Sequence, residues 1–97
     1  MVIISYSAIR DFYDKHPNTK DALNNWYRAT LMADWSSFHE MKKMFNSVDA
    51  VGNDRFVFNI RGNNYRLVVL IFFDIRTVYI RFVGPHKEYN KIDCSTI

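Results

Sequence analysis

The chain is short of the residues that would make several kinds of protein. It has one cysteine, Cys94, so no disulfide can form within it, and a reducing compartment is expected. A catalytic role for that thiol is not expected so near the chain end, where residues are usually poorly ordered. Its three glycines, Gly52, Gly62 and Gly84, stand alone, which excludes a glycine-rich phosphate loop. His16, His39 and His86 lack the spacing of metal ligands, and one cysteine cannot supply a CxxC pair; no metal and no cofactor are expected. No GxSxG elbow supports a serine nucleophile. The longest apolar run, Leu67 to Phe73, is seven residues, against the roughly 20 that a membrane helix needs. With no basic segment leading into a long apolar run, no secretory signal is read. The expected location is the cytoplasm, with no membrane partner.

What is present is apolar and aromatic. Ninety-seven residues, 48% hydrophobic and 16% aromatic, are expected to form one domain over 1–97 with a core of its own. The net charge of +3 lies entirely in the second half. Residues 1–50 hold six basic and six acidic side chains, whereas 51–97 hold seven basic and four acidic. A basic half suits a polyanion such as RNA or an acidic protein partner.

Periodicity divides the chain at Val48. Val2–Ile4 is β-prone. A helix capped by Ser7 is expected to run to about His16, with Ile9, Phe12 and Tyr13 on one face and Pro17 ending it. A second starts at Asn18 or Thr19 and carries Ala22, Leu23, Trp26, Tyr27 and Thr30 at helical spacing. Ser37 and Glu40 form a capping box ahead of Phe38, Met41, Met44 and Phe45. From there the period becomes two. Arg55–Ile60 sets Phe56, Phe58 and Ile60 against Arg55, Val57 and Asn59, and Gly62-Asn63-Asn64 reads as a hairpin turn. Tyr65–Phe73 reads as a central strand. Asp74-Ile75-Arg76 turns the chain into a strand that sets Val78, Ile80 and Phe82 against Tyr79, Arg81 and Val83, broken by Gly84-Pro85. The expected fold is α+β: a small antiparallel sheet with two or three helices packed on one face.

On that layout Asn59 and Arg66 lie near each other across a hairpin. If Gly84-Pro85 folds the tail over the sheet, Arg66, His86 and Tyr89 converge. The group has a chemical logic for RNA cleavage by transesterification. Histidine titrates near neutrality and suits acid or base work. Arginine presents a fixed fork of donors to phosphate oxygens. Tyrosine can stack on a base or relay a proton. The plainer reading is a surface histidine, solvated arginines and core tyrosines.

Gly52-Asn53 with Arg55, Val57-Phe58-Asn59-Ile60, Gly62-Asn63, Tyr65-Arg66-Leu67-Val68-Val69, Val78-Tyr79-Ile80-Arg81-Phe82, and Gly84-x-His86-x-Glu88-Tyr89-x-Lys91-Ile92-Asp93 resemble the HigB-type toxins of the RelE superfamily. The resemblance extends over nearly the whole chain. It implies a RelE-like toxin that cleaves mRNA in the ribosomal A site, neutralised by a HigA-type helix-turn-helix antitoxin. Operator DNA would be bound only through that antitoxin. It implies Arg66 as the phosphate ligand, His86 as general acid and Tyr89 as the stacking or relay residue. Arg55, Asn59, Arg61, Arg81, Lys87 and Lys91 are expected to contact RNA or ribosome. Some relatives carry lysines in the preceding strand as candidate bases, where this chain has Val57 and Asn59. Tyr89, Glu88 and the ribosome-bound substrate itself each remain candidates for the base. The tail departs from relatives at Pro85 and Asn90, where they carry threonine and aspartate. The competing expectations are a non-catalytic RNA- or ribosome-binding translation inhibitor and a scaffold that mainly grips an antitoxin.

Overall fold

The computed structural model describes residues 1–62 and 64–97; of the expected hairpin turn, Asn63 lies outside the described residues. Five strands, β1 (Val2–Ile4), β2 (Asp49–Gly52), β3 (Arg55–Ile60), β4 (Tyr65–Phe72) and β5 (Thr77–Pro85), form one sheet in the order β1-β5-β4-β3-β2. The helices are α1 (Tyr6–Lys15), α2 (Lys20–Met32), α3 (Phe38–Met44) and a short α4 (His86–Tyr89). The class is α+β as expected, but the sheet is mixed. β2 through β5 pair antiparallel, whereas β1 joins β5 in parallel, Val2 opposite Thr77 and Ile4 opposite Tyr79. Helix α1 separates β1 from its neighbour in the chain, so β1 can reach the sheet only by a crossover.

The helical stripes explain which face is covered. Ile9 of α1, Leu23 and Trp26 of α2 and Met41 of α3 are 0–3% exposed. They meet Phe56, Phe58 and Ile60 of β3, Leu67, Val69 and Ile71 of β4, and Val78 and Ile80 of β5 in one cluster. Each large aliphatic side chain so buried contributes about 1.5–3 kcal/mol. Trp26 and Phe45 both present T-shaped contacts to Phe58, with centroids 5.3 and 5.2 Å away.

Local signals held unevenly. Ser37 Oγ accepts from the Glu40 amide at 3.3 Å, but the Glu40 carboxylate returns to Ser36 rather than Ser37. Ser7 does not cap α1: the helix begins at Tyr6 after Ser5, whose φ of 74° is left-handed, and no side chain caps it. Pro85 does not break β5, because it still pairs with Tyr65. The alternation expected along β5 is also corrected. A register shift falls between Val68 and Val69, which pair with Phe82 and Ile80, so Arg81 is an extra residue. Beyond that bulge the pattern reverses: Val83 packs against the core, and Phe82 turns to the opposite face.

Candidate functional site

The sheet face opposite the three long helices holds the candidate site. Cross-strand register sets its rows. Asn59, Arg66 and Gly84 form one, Val57, Val68 and Phe82 the next, and Arg55, Leu70 and Tyr79 the third. Arg66 thus rises from the central strand at the hairpin end of the sheet. Beside it Gly84 leaves room for an aromatic ring, since a Cβ there would lie 2.6 Å from Phe82 Cζ.

The chain after β5 folds across this face. The His86 amide donates to the Asn64 carbonyl at 3.2 Å, which fastens α4 to the β3–β4 hairpin. At the far side, Asn53 Nδ2 donates to the Ser95 carbonyl at 2.9 Å. Arg55 Nε and Nη2 both donate to the main-chain oxygen of Ile97, at 2.9 and 2.8 Å. Val57 and Val68 point to this face yet are 3% and 0% exposed. The strap, anchored on both sides of them, is what excludes water there.

Three of the sequence candidates meet where the strap leaves β5. The Arg66 guanidinium carbon stands 5.7 Å from the centre of the Tyr89 ring. The His86 and Tyr89 rings lie 6.3 Å apart at an interplanar angle of 30°. They occupy positions three apart on α4, the spacing that places side chains on one side of a helix. Arg66 Nη1 also donates to the Tyr65 carbonyl at 3.3 Å, which curls the guanidinium towards the hairpin. Asn90 Nδ2 is 3.5 Å from His86 Nδ1. The Cys94 thiol donates weakly to the Tyr89 hydroxyl at 3.6 Å. Burial first, and then that contact, push the Tyr89 hydroxyl up to about 12, with Arg66 opposing the shift. Tyr89 is therefore a neutral donor at physiological pH, not a phenolate base.

This shift has a consequence for stability. The folded value, about 12, lies above the ordinary 10.0. Below pH 10 the phenol is protonated in folded and unfolded chains alike, and its contribution is fully present. As pH rises from 10 towards about 12 the unfolded chain ionises first, and stability falls. Urea unfolding across that range should show a steeper loss for the wild-type chain than for Tyr89→Phe. Parallel loss in the two would show that Tyr89 is not the group responsible.

The other candidates are dispersed. Asn59 is the cross-strand partner of Arg66 and sits at the site. Arg55 is engaged by the strap and by the Asn53 carbonyl, toward the opposite end of the face. Arg61 is exposed in the hairpin turn, with a left-handed φ of 53°. Arg81 is the exposed bulge residue, and Lys87 and Lys91 are exposed on and just after α4. Sequence reasoning missed β2, which brings Asp49 to this face, and the clasp formed by Asn53 and Arg55. Neither has a local signal: both depend on register and on where the strap lands. Among the described residues no three His, Cys, Asp or Glu side chains cluster as metal ligands would. No helix among them is long and apolar enough to cross a membrane.

A small mixed sheet, with helices on one face and a basic–aromatic group beside a C-terminal strap on the other, makes an α+β fold consistent with a RelE-like toxin. Sequence comparison narrows this. Residues 19–92 match the model of the HigB toxin family, described as the RelE-like toxic component of a toxin–antitoxin system. The mRNA interferase HigB of Escherichia coli O6:H1 (strain CFT073) is 31% identical over 94 residues, which cover 95% of this chain and 91% of that protein. The mRNA interferase toxin HigB of Escherichia coli K12 is 32% identical over 92 residues, covering 93% and 88% respectively. A Shigella flexneri mRNA interferase HigB matches to the same extent, 32% over 92 residues. The chain belongs to the HigB family of toxins, and its partner is accordingly an antitoxin.

Proposed function

We propose that this protein is an endoribonuclease that cleaves mRNA in the ribosomal A site by 2′-hydroxyl transesterification, and so arrests translation in the cytoplasm. The observation that carries the reading is the meeting of Arg66, His86 and Tyr89 on one sheet face. Cleavage of this type forms a bond from the 2′-oxygen to phosphorus and breaks the bond to the 5′-oxygen. Arg66 offers fixed positive charge to the phosphate oxygens. His86 gives a proton to the leaving 5′-oxygen. Tyr89, held neutral, supplies a ring face to a nucleobase and a hydroxyl hydrogen to the phosphate. Arg61, Arg81, Lys87 and Lys91, all exposed, would hold RNA or ribosomal RNA. The names of the similar proteins, mRNA interferases, support the substrate. The neutralising partner would be a HigA-type antitoxin carrying a helix-turn-helix domain, through which alone the pair would reach operator DNA.

Primer extension on a test mRNA, with purified protein and programmed ribosomes beside a ribosome-free control, tests the reading. Cuts within codons that need ribosomes are expected. Cuts without ribosomes would make it a free ribonuclease. Translation inhibited with no new RNA ends would make it a binding inhibitor.

A further inference from the structure

Transesterification needs a group to take the 2′-hydroxyl proton, and the assignments above leave that role empty. Tyr89 is unsuited, because a phenol pushed up to about 12 is not a base near neutrality. Glu88 adjoins Tyr89 on α4, and adjacent helix positions do not face the same way. It is turned from the side that His86 and Tyr89 share.

β2 supplies a carboxylate. Asp49 pairs with Val57 across β2 and β3, and directly paired residues of antiparallel strands share a face. Val57 in turn pairs with Val68, and Asn59 with Arg66. Asp49 therefore stands on the same face as Arg66, one row along and two strand spacings, about 10 Å, across. Tyr89 is linked to both: Arg66 lies 5.7 Å from its ring centre, and the Asp49 charge is among those acting on its hydroxyl. His86 approaches the same ring from α4. The Asp49 side chain is exposed, so substrate can reach it, and no ion pair among the described residues occupies it. Two ionisable groups come near it: the Tyr89 hydroxyl, on which its charge acts, and Lys42, whose Nζ donates to the carbonyl of the preceding Val48 at 2.7 Å.

Resting on the nuclease reading, we propose that Asp49 is the general base of the cleavage step. Its carboxylate takes the 2′-hydroxyl proton while the 2′-oxygen bonds to phosphorus. The phosphorus–5′-oxygen bond breaks, and His86 protonates the departing oxygen. The products are a 2′,3′-cyclic phosphate and a 5′-hydroxyl. Protonated Asp49 and neutral His86 exchange protons with water to reset the site.

Single-turnover cleavage of ribosome-bound mRNA by wild type, Asp49→Asn and Asp49→Glu decides the matter, beside binding of each to ribosomes whose A-site nucleotide lacks the 2′-hydroxyl. Asp49→Asn keeps the shape and removes the base. Its cleavage rate constant should fall about 10²- to 10⁴-fold, with binding to the deoxy complex unchanged. Asp49→Glu should recover part of the rate. Cleavage by Asp49→Asn at the wild-type rate, or a loss confined to binding, would overturn the assignment and leave the nuclease reading standing. A wild-type protein that makes no cut would remove both.

Discussion

Arg66→Ala should abolish most of the cleavage activity while leaving a folded protein that still binds its antitoxin. Removing one donor to a phosphate whose charge builds in the transition state costs about 2.7–4 kcal/mol, or about 10²- to 10³-fold in rate. The neighbouring contacts argue for the upper part of that range. Arg66 stands in the central strand of the sheet, beside the buried Val57–Val68 row, and its guanidinium is held by the Tyr65 carbonyl and the Tyr89 ring. Little reorganisation is then needed when a phosphate arrives. Arg66→Lys should recover only part of the loss, since a point charge cannot reproduce two parallel donors. Single-turnover cleavage on programmed ribosomes reads the effect, and a circular dichroism melt confirms the fold. Undiminished cleavage by Arg66→Ala would remove Arg66 from the chemistry.

The largest stability effect is expected at Phe58. Its side chain is 2% exposed and takes ring contacts from Trp26 of α2 and from Phe45, just beyond α3. It is the place where two helices are joined to the sheet. Truncation to alanine loses the transfer term and leaves a cavity among rigid aromatic neighbours that cannot collapse fully. A cost of about 3–5 kcal/mol is expected. Against a total of about 5–15 kcal/mol for a typical fold, that leaves a marginal protein. Urea unfolding should show a lower midpoint at unchanged slope. A shift corresponding to less than about 1 kcal/mol would mean that the surrounding helices close over the gap.

The parts of this fold that could be read from sequence are those set by neighbours in the chain. The stripe Leu23, Trp26, Thr30 and the alternation Phe56, Phe58, Ile60 need only a helix or strand period to place them, and all six residues are buried. Phe82 and Val83 show where that reasoning ends. One extra residue at Arg81, fixed by pairing with β4, exchanges their faces, and nothing within Thr77–Val83 marks it. The same holds at the candidate site. Arg66, His86 and Tyr89 were named from chemistry and resemblance, and their convergence depends on the strap folding back. The strap is held by Asn53 and Arg55, residues remote in sequence from Ser95 and Ile97. Arg55, at a strand end where solvated charge is the default, is instead held by the Ile97 main-chain oxygen, a partner 42 positions away that no local pattern reveals. Asp49 carries no local signal: only the pairing of β2 with β3 places it on this face.

The parallel pairing of β1 with β5 bears on how the protein is made. Val2–Ile4 emerges first during synthesis and finds its place only when Thr77–Tyr79 has been added. Such a long-range contact closes late, since the entropy of the intervening loop must be overcome first. Asp49 and Arg66 precede that closure; His86 and Tyr89 follow it, and their docking needs Asn64 and the finished sheet. A nascent or prematurely terminated chain therefore carries no assembled site. For a cell translating this message, the toxin's activity would begin only once nearly the whole chain had been made.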